Sequence, residues 1–159
     1  ESLGFEVGWN KATQSVYIGD QSNINNQQSS STDEITAMEQ EVVRLVNVER
    51  TKKGLSALKS NSQLASVART KSQDMRINKY FDHTSPTYGS PFEMMKQFGI
   101  SYKSAGEDIA MGQTTAKQVM DAWMNSEGHR ANILDSKFTH MGVGYVEKGH
   151  YWTQMFIKK

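Results

Sequence analysis

The chain contains no cysteine. That excludes a disulfide framework, a thiolate zinc site and a thiol nucleophile, but it does not fix a compartment, since a domain with a large enough core does without disulfides. Charge of one sign is also missing. The 18 Lys and Arg stand against 17 Asp and Glu, a net +1, where a nucleic-acid binder carries a basic stripe. No apolar run approaches the ~20 residues of a membrane-spanning helix, so no span is expected. No signal-like segment follows Glu1, which predicts a processed or excised piece. No repeat at a solenoid period is present. A length of 159 residues suits one domain plus something attached.

Composition shifts sharply over residues 20–32. Gln21 to Thr32 reads QSNINNQQSSST, which has almost nothing to bury and predicts a flexible linker with ends roughly 20 Å apart. Without residues 1–32, three acids and one base are lost, leaving 17 bases and 14 acids, a net +3. That bias is too weak to imply a polyanionic partner. Before the linker, FEVGW and QSVYI alternate around NKAT and predict a β-hairpin over 1–19. A lone hairpin is marginal in water and should belong to something larger. Leu3, Gly4, Val7, Trp9, Thr13, Val16 and Ile18 resemble the last hairpin of the copper-amine-oxidase-like N-terminal module of bacterial surface proteins. No copper chemistry transfers, because the stretch has no His or Cys.

From residue 33 onward, four pairs fit capping-box spacing: Ser31 with Glu34, Ser60 with Gln63, Ser90 with Glu93, and Thr115 with Gln118. Each precedes an apolar pattern of helical period. The first carries Ile35, Met38, Val42, Leu45 and Val46 and ends near Gly54. The second carries Leu64, Val67, Ala68, Met75 and Ile77. The third runs from Pro91 to Phe98. The fourth carries Val119, Met120, Trp123 and Met124 and stops at Gly128, with one more turn around Ala131 to Leu134. Strands are expected at 105–111, 141–147 and 151–157, the last two joined at Lys148-Gly149. The expected fold is α/β, a layered sandwich of about three strands and about four helices with the sheet covered on both faces.

The residues able to do chemistry are few. His83 sits in the turn-rich FDHTSP, Glu107 in the strand-like SAGEDIAMG, and His129 in SEGHRANIL. No HExxH or close histidine pair occurs, so spacing alone gives no metal site, and a lone loop histidine is more often solvated or structural. Ser126 lies near His129, but nothing resembles a GxSxG elbow, which argues against a serine hydrolase.

Seven segments, in order, carry a resemblance over residues 36–157. They are LVNVERTKKGLSALKSNSQLASVARTKSQDM, YFDHTSP, SPFEMM, AGEDIA, AWMNSEGHRANIL, GVGYV and YWTQMF. They are similar to the bacterial, cysteine-free, SCP-like branch of the CAP superfamily (cysteine-rich secretory proteins, antigen 5 and pathogenesis-related proteins). The resemblance implies that 33–159 is an α-β-α sandwich with a central cleft. In relatives that cleft is lined by two histidines and two acids, and the histidines often hold a divalent metal such as zinc. His83 and His129 match the histidines, and Glu107 matches the acid of a G-E-N motif in which Asp108 replaces Asn. The second acid of many relatives stands three residues after a Trp, and here that position is Ser126. Glu127 follows it, but one step along a helix turns a side chain by about 100°, so Glu127 is expected to face solvent.

On that reading His83 and His129 are the metal candidates, with Glu107 a third ligand or an acceptor behind an imidazole. The alternative is a metal-free cluster in which Glu107 orients both histidines. Histidine-bound metal should weaken as pH falls through ~6.5. Asn47, Arg50, Arg130 and Asn132 read as hydrogen-bonding struts. Trp123, Trp152, Phe156, Met120 and Met124 read as core, and His140 and His150 as solvated.

The functional expectation is a secreted or cell-surface bacterial domain, monomeric, without a nucleic-acid partner. It is read as a non-enzymatic module whose cleft of His83, Glu107, Ser126 and His129 binds a divalent metal and a small ligand, peptide or envelope component. The competing reading is a metal-dependent, protease-like hydrolase with Glu107 or Glu127 activating water. Against it, catalytic zinc usually has three protein ligands plus a separate base.

Overall fold

The computed structural model describes the backbone of residues 21–159 and side chains from residue 32 onward. The hairpin expected at 1–19 lies outside the described residues. Along the chain come α1 (Gln21–Lys52), β1 (Lys59–Ser60), α2 (Ser62–Ile77), α3 (Pro91–Gln97), β2 (Ser104–Met111), α4 (Ala116–Met124), α5 (Glu127–Ile133), β3 (His140–Val146) and β4 (Tyr151–Lys158). Residues 34–159 form one compact unit, which holds the whole sheet.

The strands order as β1-β3-β4-β2, with β1 parallel to β3 and the other pairs antiparallel. The three expected strands are present within a residue at each end. The fourth, β1, is two residues long, too short to leave a period in the sequence. Side chains alternate across β3 and β4. Met141, Val143, Tyr145, Trp152 and Phe156 join one core cluster with Val42 and Val46 of α1, Val119, Met120 and Trp123 of α4, and Ile133 of α5. Met155 and Ile157 join another with Leu64, Val67 and Ala68 of α2 and Met94 and Met95 of α3. The sheet is thus covered on both faces, as in an α-β-α sandwich. Trp123 and Trp152, expected as core, are 1% and 0% exposed, and burying a side chain of that size contributes roughly 2–3 kcal/mol.

On β3 the residues between the apolar ones are Gly142 and Gly144. A Cβ at Gly142 would lie 2.3 Å from the backbone nitrogen of Ala65, and one at Gly144 2.1 Å from that of Arg69. The GVG run is what allows α2 to lie directly on the sheet.

Helix boundaries depart from expectation where several polar residues compete to cap. The segment 21–32 is helical, not coil, so Ser31 with Glu34 starts nothing. A helix nucleated elsewhere gains one hydrogen bond per added residue, and 21–32 contains no Gly or Pro to stop it. At α2 the cap is Asn61, whose side chain accepts from Leu64 N at 2.8 Å, because Ser60 is already paired in β1. Ser90 and Glu93 make the full capping box, at 3.1 and 2.8 Å, ahead of Pro91. Thr115 caps α4 through Gln118 N, but the Gln118 side chain turns to Thr114 instead. α4 ends at Met124, and Gly128, expected as its stop, lies inside the separate helix α5. The described residues therefore hold five helices, and Ile77, expected on the apolar stripe of α2, is 56% exposed.

Candidate functional site

β2 is an edge strand, and Glu107 and Asp108 sit side by side in its middle. Successive side chains point to opposite faces, so the two acids serve different layers. Glu107 pairs across the strands with Met155, on the α2 and α3 face, while Asp108 pairs with Gln154, on the other. Asp108 is fully buried and accepts from Asn132 Nδ2 and Gln154 Nε2, each at 2.9 Å. Burial is the largest influence on it and outweighs those two bonds, pushing its carboxyl up to about 7.

Glu107 is also buried, with its side chain 2% exposed. Its Oε1 lies 2.7 Å from His83 Nδ1, which reaches it from the loop between α2 and α3. That bond raises the His83 pKa, with burial and Lys71 working against it. About half of the His83 side chain stays exposed, leaving the imidazole accessible beside a buried carboxylate. Glu107 Oε2 has no hydrogen-bond partner.

His129 lies on α5, the helix that packs against β2. Its Nδ1 is buried and unpartnered. Burial is the main cause that lowers its pKa, and the charge of His83 acts in the same direction, so the two imidazoles lie within electrostatic reach. Ser126 is the N-cap of α5 but makes no side-chain capping bond. Glu127 is exposed on the first turn of α5, the direction expected for it, and is not among the groups gathered at β2.

Around this centre, side chains hold the strand's free edge. Asn132 Nδ2 donates to the Glu107 carbonyl at 3.3 Å, and Trp123 Nε1 donates to the Ile109 carbonyl at 3.1 Å. The struts are in place. Asn47 exchanges two bonds with the backbone of Leu58, and Arg130 donates to the Met124 carbonyl at 2.8 Å. Arg50, 1% exposed, donates to the carbonyls of Ser56, Ile133 and Asp135. His140 and His150 are partly buried rather than solvated. The first is bonded to Thr139 and the second to Tyr145, whose ring it also stacks on.

Among the described residues no group of three or more His, Cys, Asp or Glu side chains is placed to hold one ion. The Nδ1 of His83 is engaged by Glu107, which leaves Nε2 as its ligating atom. The residues thus stop short of a zinc centre, which takes three or four protein ligands. What they do provide is two buried polar atoms without a protein partner, Glu107 Oε2 and His129 Nδ1, together with the half-exposed imidazole of His83. Sequence reasoning missed one neighbour of this site, Lys71 of α2, whose Nζ donates to the His83 carbonyl at 2.7 Å. The available signal was a lysine at a stripe position of an amphipathic helix.

A family model for CAP, the cysteine-rich secretory protein family, matches residues 43–156. The chain is 60% identical over 134 residues to the uncharacterized protein YkwD of Bacillus subtilis (strain 168), covering 84% of this chain and 52% of that protein. It is 40% identical over 124 residues to the uncharacterized membrane protein YlbC of the same organism, covering 78% and 35%. The chain therefore spans about half or less of these relatives. Among solved structures, an extracellular protein containing a SCP domain from Bacillus anthracis str. Ames superposes with a TM-score of 0.76 at 36% identity, over 78% of this chain and 41% of that one.

Proposed function

The chain belongs to the cysteine-rich secretory protein (CAP) family, and from that premise we propose that it is an extracellular bacterial binding module whose cleft takes a ligand at His83, Glu107, Ser126 and His129. The observation that carries this reading is the pair of buried, unpartnered atoms, Glu107 Oε2 and His129 Nδ1. A buried polar atom without a partner costs about 1–3 kcal/mol, and a ligand that satisfies both recovers that cost. The carboxylate oxygen offers lone pairs, and so does Nδ1 when the His129 proton is on Nε2. Both then accept, and the complementary ligand is a hydrogen-bond donor or a cation.

A divalent ion requires His83 Nε2 and His129 to converge on it, with water completing its shell. The extracellular placement follows the extracellular SCP-domain protein of Bacillus anthracis.

The test is elemental analysis of the purified chain together with calorimetric titration of zinc, then NMR screening of a peptide library. Binding that perturbs His83 and His129, and that weakens at least about ten-fold in His83→Ala and His129→Ala, is the expected result. No binding to either probe class, or variants that bind as well as wild type, would sink the proposal.

A further inference from the structure

α2 turns Leu64, Val67, Ala68 and Met75 toward the sheet, and the same buried face includes Lys71 and Ser72. Ser72 is accounted for by the Gly144 carbonyl and Thr153. Lys71 is 1% exposed, and a buried ammonium must be given replacements for its lost water. Its replacements both come from the loop that carries His83. Nζ donates to the His83 carbonyl at 2.7 Å and stands 5.0 Å from the centre of the Tyr80 ring. Burial lowers its pKa most, and the nearby charges of Glu107, Asp74 and Asp82 oppose that.

One turn further along α2, Asp74 holds the rest of the same loop. It accepts from Asn78 at 2.6 Å, from Tyr80, and from Ser85 Oγ at 2.6 Å. Ser85 in turn bridges to Gly89 and closes the loop on itself. A cation and an anion three residues apart on one helix therefore grip the loop from beneath. His83 lies between, with its main chain on Lys71 and its side chain on Glu107.

We propose that Lys71 is a positioning residue of the cleft: by bonding the His83 carbonyl, it fixes the imidazole on the Glu107 carboxylate with Nε2 left open to the ligand. The importance of this role rests on the binding reading of the cleft. A lysine that merely filled space would be replaced without consequence for His83 by methionine, an apolar side chain of similar length.

The experiment uses metal-free protein and long-range proton–nitrogen NMR of His83. In wild type the Nδ1 proton bonded to Glu107 is expected to exchange slowly with solvent. In Lys71→Met it should exchange about ten-fold faster or more, the factor expected from losing one hydrogen bond, with amide protection in β3 and β4 unchanged. Because the chain has no other thiol, Lys71→Cys alkylated in denaturant with 2-bromoethylamine and refolded restores the ammonium, and with it slow exchange. Slow exchange retained in Lys71→Met overturns the proposal. In the unaltered protein, a coupling across the hydrogen bond from Lys71 Nζ to the His83 carbonyl carbon is expected. Its absence overturns the proposal whether or not the methionine variant folds. A wild type that binds neither zinc nor peptide defeats the binding reading alone, since these signals are read without ligand.

Discussion

Glu107 and Asp108 are adjacent in the chain, yet one supports an exposed imidazole and the other is enclosed by Asn132 and Gln154. The alternation of a strand does this, and it explains why an acid in the place of the G-E-N asparagine does not add a second carboxylate beside His83. His83, Glu107 and His129 were legible because their flanking segments match as blocks in order. Lys71 was not, since a helical period marks a position as buried without saying that a cation fills it. At this scale the pair His83–Glu107 makes a directional prediction. Glu107 is the main cause of the raised His83 pKa, so Glu107→Gln should lower the His83 midpoint, followed by NMR. The sign for stability follows. The pair's contribution is full below the unfolded histidine value of ~6.5 and is lost as pH rises through the folded one. The variant should therefore lose stability mainly on the acid side, and an unmoved midpoint would contradict this account.

Elements were legible where one signal dominated. β2, β3 and β4 stood out as short strand-like runs between turn residues, and Ser90-Pro91 marked α3 without competition. The misplacements fall where polar residues crowd a helix end, as at Ser60 and Asn61, or where a glycine reads as a stop but sits inside a turn of helix, as at Gly128. β1 escaped because two residues cannot show a period, and the helical 21–32 because propagation from packed turns overrode composition. Two glycine substitutions separate packing from propensity. Gly144→Ala drives a methyl against the α2 backbone at 2.1 Å and should destabilise by about 1–3 kcal/mol or more. Gly128→Ala meets nothing within 4 Å in a helix and should stabilise by roughly 0.5–1 kcal/mol. Urea denaturation measures both, and equal midpoints would refute the close contact of α2 with β3.

For the whole molecule, Arg50 ties α1 to the segments at 56 and 133–135 on one side of the sheet, while Glu39 does so for the other. Glu39 takes two bonds from Arg69 of α2 and one from the Tyr145 amide. Global stability should also carry the mark of Asp108. Its folded pKa is raised from 3.8 to about 7, so the protonated form is favoured in the fold. Stability is then full below the unfolded value and declines as pH rises toward 7, by an amount on the order of 3–4 kcal/mol. Asp108→Asn should remove that slope, read as a flatter melting temperature between pH 4 and 7, and an unchanged slope would reassign it to other groups. The bonds from Trp123 and Asn132 to the outer carbonyls of β2 have a consequence for crowded solutions. A strand from a second molecule approaching that edge finds two of its central acceptors, the Glu107 and Ile109 carbonyls, already bonded, which disfavours intermolecular pairing and fibril growth there.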